Sequence, residues 1–154
     1  MYVEFLVAFL PLLGLFACLL QLSVLQVAKL VTLHAASCAA RAAVVVLHDD
    51  PAAYAGVPVG RPIAARRSAI ERAAAIALGA ASGIVSFRLR LAAGPDRHEP
   101  QEFGPEDMVR VRIEAEFECD VPLASRVVCS VGDGRATLAG EAALPNHGAR
   151  YPYD

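Results

Sequence analysis

A single carboxylate, Glu4, stands at the head of an uncharged run from Phe5 to Ala28, FLVAFLPLLGLFACLLQLSVLQVA. An ionised glutamate at the mouth of a membrane segment is costly unless a cation meets it, so its chemistry is ion pairing in a low-dielectric medium. A plain membrane anchor does not need it. Far along the chain, Cys119 and Cys129 bracket CDVPLASRVVC, in which Val121-Pro122 forces a turn. A bond closing so short a loop is feasible, would contribute roughly 2 to 3 kcal/mol, and implies an oxidising compartment. The alternative is two buried thiols sharing an apolar face. A row of acids, Glu114, Glu116, Glu118 and Asp120, alternates with apolar residues. Side chains two apart on a flat strand do not converge on a cation, so a solvated face paired to Arg88 and Arg90 is expected.

The remaining polar residues offer little chemistry. His34, His48, His98 and His147 are scattered, no serine sits in a nucleophile elbow, and no glycine loop precedes a helix in phosphate-binding form. His34 on its alanine-rich helix reads as a packed residue. Glu99, Glu102, Glu106 and Asp107 share a Pro/Gly-rich loop without the ligand periodicity of a calcium site. Cys18 and Cys38 read as small packing residues, and neither zinc nor haem spacing is present. No catalytic residue, metal or cofactor is expected, and an enzyme is the weakest class. A formal charge of -2 with pI near 6.1 gives no basic footprint, so nucleic acid is set aside.

These residues need long scaffolding. Phe5 to Ala28 makes a helix of roughly 36 Å, enough to cross a bilayer with some tilt. Alanine-rich sequence carries helix propensity on to His48, before the stop at Asp49-Asp50-Pro51. One helix of about 46 residues, near 70 Å, is expected, with Pro11 kinking it or opening it locally. Tyr2, Phe5, Phe9, Leu12, Phe16 and Leu19 form a heptad stripe, which Leu30, Leu33, Val44 and Leu47 continue in phase. Ala8, Gly14, Ala17, Ala35, Ala36, Ala39 and Ala40 are small enough for close helix-against-helix packing. An aromatic conduction path along Tyr2, Phe5, Phe9 and Phe16 is disfavoured, because aromatics on a helical stripe ordinarily pack.

The chain divides into a helix over 1–48 and a head over 49–154, large enough for one small domain. A loop, PAAYAGVPVGR, leads to Pro62 in the first turn of a second helix ending at Gly79 or Gly83. Its expected buried face is Ile63, Ile70, Ala74 and Ala77, with Arg66, Arg67 and Arg72 solvated. Val85, Phe87, Leu89 and Leu91 alternate with polar residues as one half-buried strand. MVRVRIEAEFECD is the clearest strand, burying Val109, Val111, Ile113, Ala115, Phe117 and Cys119. RATLAGEAAL follows the turn residues Gly132-Asp133-Gly134. The fold class is therefore α+β, a long hydrophobic helix on a small antiparallel sheet with one additional helix.

Two processing signals fit the front end poorly. A secretory signal peptide has a basic start and a shorter apolar centre than this run. Ala35-Ala36-Ser37-Cys38 lacks the leucine that heads a lipoprotein cleavage box and lies in mid-helix sequence.

At VEFLVAFLPLLGLF the chain resembles the N-terminus of TadE-like pseudopilins, within the wider type IV pilin family. The resemblance continues through AASCAARAA, CDVPLASRVVC and the closing LPNHGARYPYD. It implies a pilin-like fold and a structural filament subunit, made as an inner-membrane protein and trimmed by a prepilin peptidase. The inner-membrane assembly machinery would extract it into a cell-surface helical polymer of its own copies. Glu4 matches the family's glutamate, held to meet a neighbour's N-terminal amine, although it stands one place early and the basic leader ending in glycine is absent. Glu4, Tyr2, Phe5, Phe9, Pro11 and Phe16 are the expected assembly residues. The alternative is a single-pass anchored accessory or binding protein that stays monomeric and presents an extracellular or periplasmic domain.

Overall fold

The computed structural model describes residues 2–94, 98–122, 124–129 and 134–146. Helix α1 runs unbroken from Tyr2–Leu47, through Pro11, over 46 residues. It stops where Asp50-Pro51 begins a short 3-10 turn, Pro51–Tyr54, whose first amides are met by the Asp50 carboxylate accepting from Ala52 N at 2.8 Å. The last carbonyl of α1, Leu47 O, accepts from Gly60 N at 2.6 Å. Gly60 has φ +83°, and a Cβ there would lie 2.5 Å from Phe103 O, so no other residue fits this return of the loop.

Helix α2 covers Ala64–Leu78, with Ile63 as its N-cap and Pro62 outside it, one turn edge later than the proline suggested. Its buried residues are Arg66, Ile70, Ala74 and Leu78, a four-residue spacing laid against α1. Arg66 is thus a correction: expected in solvent, it is fully buried. Ile63 and Ala77 are only partly covered.

Three antiparallel strands follow in the order β1 (Ile84–Ala93), β2 (Met108–Glu118) and β3 (Arg135–Pro145). The central strand β2 alternates as expected, with Val109, Val111, Ile113, Ala115 and Phe117 all buried. Val85 departs from expectation. A register shift between Ile84 and Ser86 inserts it as an extra residue, so Ile84 packs inward and Val85 is half exposed. Gly83, at φ +97°, lets the chain pass the Phe117 ring, which a Cβ would approach to 2.8 Å. Of the expected turn before β3, Gly132 and Asp133 lie outside the described residues. Between β2 and β3, Ser125–Val128 forms one short helical turn, α3.

The sheet closes on α1 and α2 around one main core of Ala35, Ala36, Ala39, Ala40, Ala43, Leu47, Ile70, Val109, Val111 and Ile113, with Phe103 at its edge. The four alanines expected to serve helix–helix packing between copies are therefore occupied inside the monomer. One turn earlier β3 comes close to the helix backbone: a Cβ on Gly140 would sit 2.7 Å from Thr32 O and 3.0 Å from Leu33 N. The second half of α1 is core of the head, not a stalk beneath it.

Candidate functional site

The N-terminal part of α1 has no such cover. Tyr2 is 91% exposed and Phe5 63%, and Phe9, Pro11 and Phe16 are exposed as well, as is Glu4 in the first helical turn. A carboxylate there suits the positive end of the helix dipole. Phe5 and Phe9, one turn apart, stack with centroids 5.5 Å apart. The α1 helix is long and apolar enough to cross a membrane, with mean hydropathy 2.4 in its most apolar stretch and none of that stretch buried. The core helix of a soluble domain would be mostly covered.

The head's described residues first enclose α1 at Gln21, which is buried although it lies inside the apolar run. Its Oε1 accepts from Val121 N at 3.1 Å. Sequence reading passed over this glutamine; the signal was an amide in a stretch otherwise suited to lipid. Val121 belongs to the excursion closed by a Cys119–Cys129 disulfide, so the open alternative of two thiols is resolved. Both cysteines pack with Ala28, Phe117 and Leu25. Cys18 and Cys38 remain free, and Cys38 Sγ lies 3.6 Å from His34 Nε2 on an exposed face. Leu123, within the excursion, and residues 147–154 of the closing segment lie outside the described residues.

At the other end of α1, Arg66 gathers backbone carbonyls. Its Nη1 donates to Pro58 O at 2.7 Å and Arg61 O at 3.2 Å, and its Nη2 to Asp49 O and Val57 O at 3.4 Å. The guanidinium also lies 4.6 Å from the centre of the Tyr54 ring. The last turn of α1 has no basic residue of its own, and Arg66, hydrogen-bonded to Asp49 O just beyond it, brings a positive charge to the negative end of that helix dipole. Next to it, His48 Nε2 lies 3.3 Å from Asn146 Nδ2, which also donates to Gly104 O. Burial lowers the His48 pKa; a backbone hydrogen bond at Val44 opposes that shift, and the Arg66 charge adds to it.

The loop acids serve separate structural ends. Glu99 pairs with Arg67, Glu102 reaches Arg61 at 3.9 Å, and Asp107 accepts from Gly104 N at 2.6 Å. On the sheet's outer face the register sets Arg88 opposite Glu114. The ion pairs, however, run from Glu114 to Arg112 and from Glu116 to Arg135 rather than to Arg88 and Arg90. No protein-family model, curated protein or solved structure matches the chain.

Proposed function

We propose that the chain is a structural subunit, a pilin or pseudopilin, of a Tad-type surface filament. It would sit in the inner membrane before assembly and pack through α1 afterwards. The observation that supports this reading is the exposed segment Tyr2–Leu20, whose large apolar side chains have no cover from the described head. An apolar surface of that extent must be met by lipid or by protein. At 100° per residue the stripe from Tyr2 to Leu19 lies about half a turn from the face that docks the head, so copies can reach it without displacing the head. A repeated contact of that kind, if it does not close on itself, generates a helical filament. The disulfide agrees with a head outside the cytoplasm. In this reading Glu4 meets a neighbour's N-terminal amine, and prepilin peptidase and the assembly machinery are the processing partners, as the resemblance implies.

One observation favours the runner-up, a single-pass anchored accessory protein. The exposed segment of about 19 residues spans roughly 28 Å, close to the hydrocarbon thickness of a bilayer, so lipid alone could satisfy it. Electron microscopy of the full chain, purified in uncharged detergent and then depleted of detergent, separates the two. Fibres of uniform width are expected. A monodisperse species at every concentration tried would replace the filament with the anchor.

A further inference from the structure

Outward side chains cross the sheet in rows, and some of these charges are matched by neighbours. Arg88 faces Glu114, while Glu116 accepts from Ser86 at 3.0 Å and pairs with Arg135 at 3.6 Å. The row Arg90, Arg112, Glu141 sets two like charges side by side, because Arg90 and Arg112 are direct cross-strand neighbours. Like charges so placed repel. The adjoining row is Ala92, Arg110, Ala143. The short side chains flanking Arg110 leave a notch of about 150 Å³ ringed by Arg90, Ala92, Arg110, Arg112, Glu114 and Glu141.

Three guanidiniums meet two carboxylates in that ring, which leaves one positive charge over. Glu141 holds Arg110 at 2.5 Å, and Glu114 holds Arg112 at 3.0 Å. Arg90 makes no hydrogen bond or ion pair among the described residues. The Arg110 Nε also has no acceptor among the described residues, but it is shut off from water, so a ligand in the notch meets the outer guanidinium nitrogens rather than this atom. A donor in that state is rare in folded proteins.

We propose that this notch binds a carboxylate, presented by a free organic acid or by the side chain of an acidic peptide. One carboxylate matches the surplus charge, whereas a phosphate group carries nearly two charges at neutral pH. Guanidinium forks fit the two carboxylate oxygens. Glu114 and Glu141 fix two of those forks before the ligand arrives, which lowers the cost of ordering them. The site lies on the head and operates on an anchored monomer or a filament subunit alike.

The test uses the full chain in uncharged detergent, with the arginine Nε–H resonances followed by NMR. Acetate is titrated against sodium chloride at equal ionic strength, and a second arm uses an acetylated, amidated Gly-Glu-Gly peptide. The Arg90 Nε–H signal is expected to shift saturably with acetate and not with chloride. Arg90→Ala should weaken binding about tenfold, and Arg90→Lys less, since it keeps the charge and loses the fork. Binding of the peptide tighter than acetate assigns the carboxylate to an acidic peptide; equal or weaker binding assigns it to a free acid. No saturable shift in either arm, an equal response to chloride, or unchanged affinity in Arg90→Ala would overturn the site. Tighter binding of inorganic phosphate than of either carboxylate would overturn the ligand class. Arg90 has no partner among the described residues to lose, and the wild-type titration decides even if that variant misfolds.

Discussion

Replacing Gly140 by alanine measures how tightly the head is seated on α1. The new Cβ would stand 2.7 Å from Thr32 O, 2.8 Å from Thr32 C and 3.0 Å from Leu33 N, against about 3.5 Å for a comfortable carbon contact. All three atoms are backbone in the interior of a continuous helix, so no side chain can rotate away. The strand must lift by most of an ångström, and that loosens the neighbouring contacts of Leu138 and Ala142. Overpacking of this kind costs about 1 to 3 kcal/mol. For a domain of this size that is a fall in Tm of about 3 to 10 °C, read by circular dichroism of the full chain in uncharged detergent. Gly14→Ala is the control, because a Cβ at Gly14 meets nothing within 4 Å and alanine favours the helix. A Tm for Gly140→Ala within about 1 °C of wild type would mean that β3 does not press on the helix.

Three further outcomes follow from the same geometry. Arg66→Met should cost about 3 kcal/mol by stranding the carbonyls of Asp49, Val57, Pro58 and Arg61, and Arg66→Lys should not restore the loss, since a compact ammonium cannot span four acceptors; thermal unfolding reads both. Because burial lowers the His48 pKa from 6.5, the unfolded chain binds the proton more readily, so this contribution is complete above that value and is lost as pH falls below it; the Tm decline between pH 7.5 and 5 should shrink in His48→Gln. Non-reducing peptide mapping should link the Cys119 and Cys129 peptides and leave Cys18 and Cys38 open to alkylation, while Cys129→Ser should lose roughly 2 to 3 kcal/mol.

The parts of the fold legible in the sequence were those with a strong period. The alternation of Val109 to Phe117 fixed the central strand and its buried face, and the unbroken propensity from Tyr2 to Leu47 fixed the helix. Val85 misled because a bulge adds one residue to a strand and reverses every alternation beyond it. Arg66 misled because its partners are loop carbonyls, which carry no sequence signature; only the folded path of residues 49–61 brings them together. The notch over Ala92 was invisible for a related reason: Arg90 and Arg112 become neighbours through strand register alone.

The long helix divides its labour along its length, and that division decides which residues can test the filament. A heptad of large apolar residues suggests one continuous packing seam, yet its last member, Leu47, is fully buried in the head's core beside the alanine face of Ala35, Ala36, Ala39 and Ala40, and Val44 packs against that core. Enlarging those alanines would break the monomer and say nothing about polymer. Leu30 is informative instead. It lies on the stripe, beside the docked half of the helix, and is 66% exposed. With Tyr2–Leu20 spanning the bilayer, an anchored monomer holds Leu30 in water, where Leu30→Gln should leave Tm and membrane level unchanged. In a filament the same position would be covered by neighbouring helices, and losing that burial costs about 1.5 to 3 kcal/mol in every subunit. The expected result is a protein of normal stability and membrane abundance that forms few or no fibres. Normal fibres from Leu30→Gln would remove the second half of the stripe from the assembly surface and confine the contact to the first twenty residues or so.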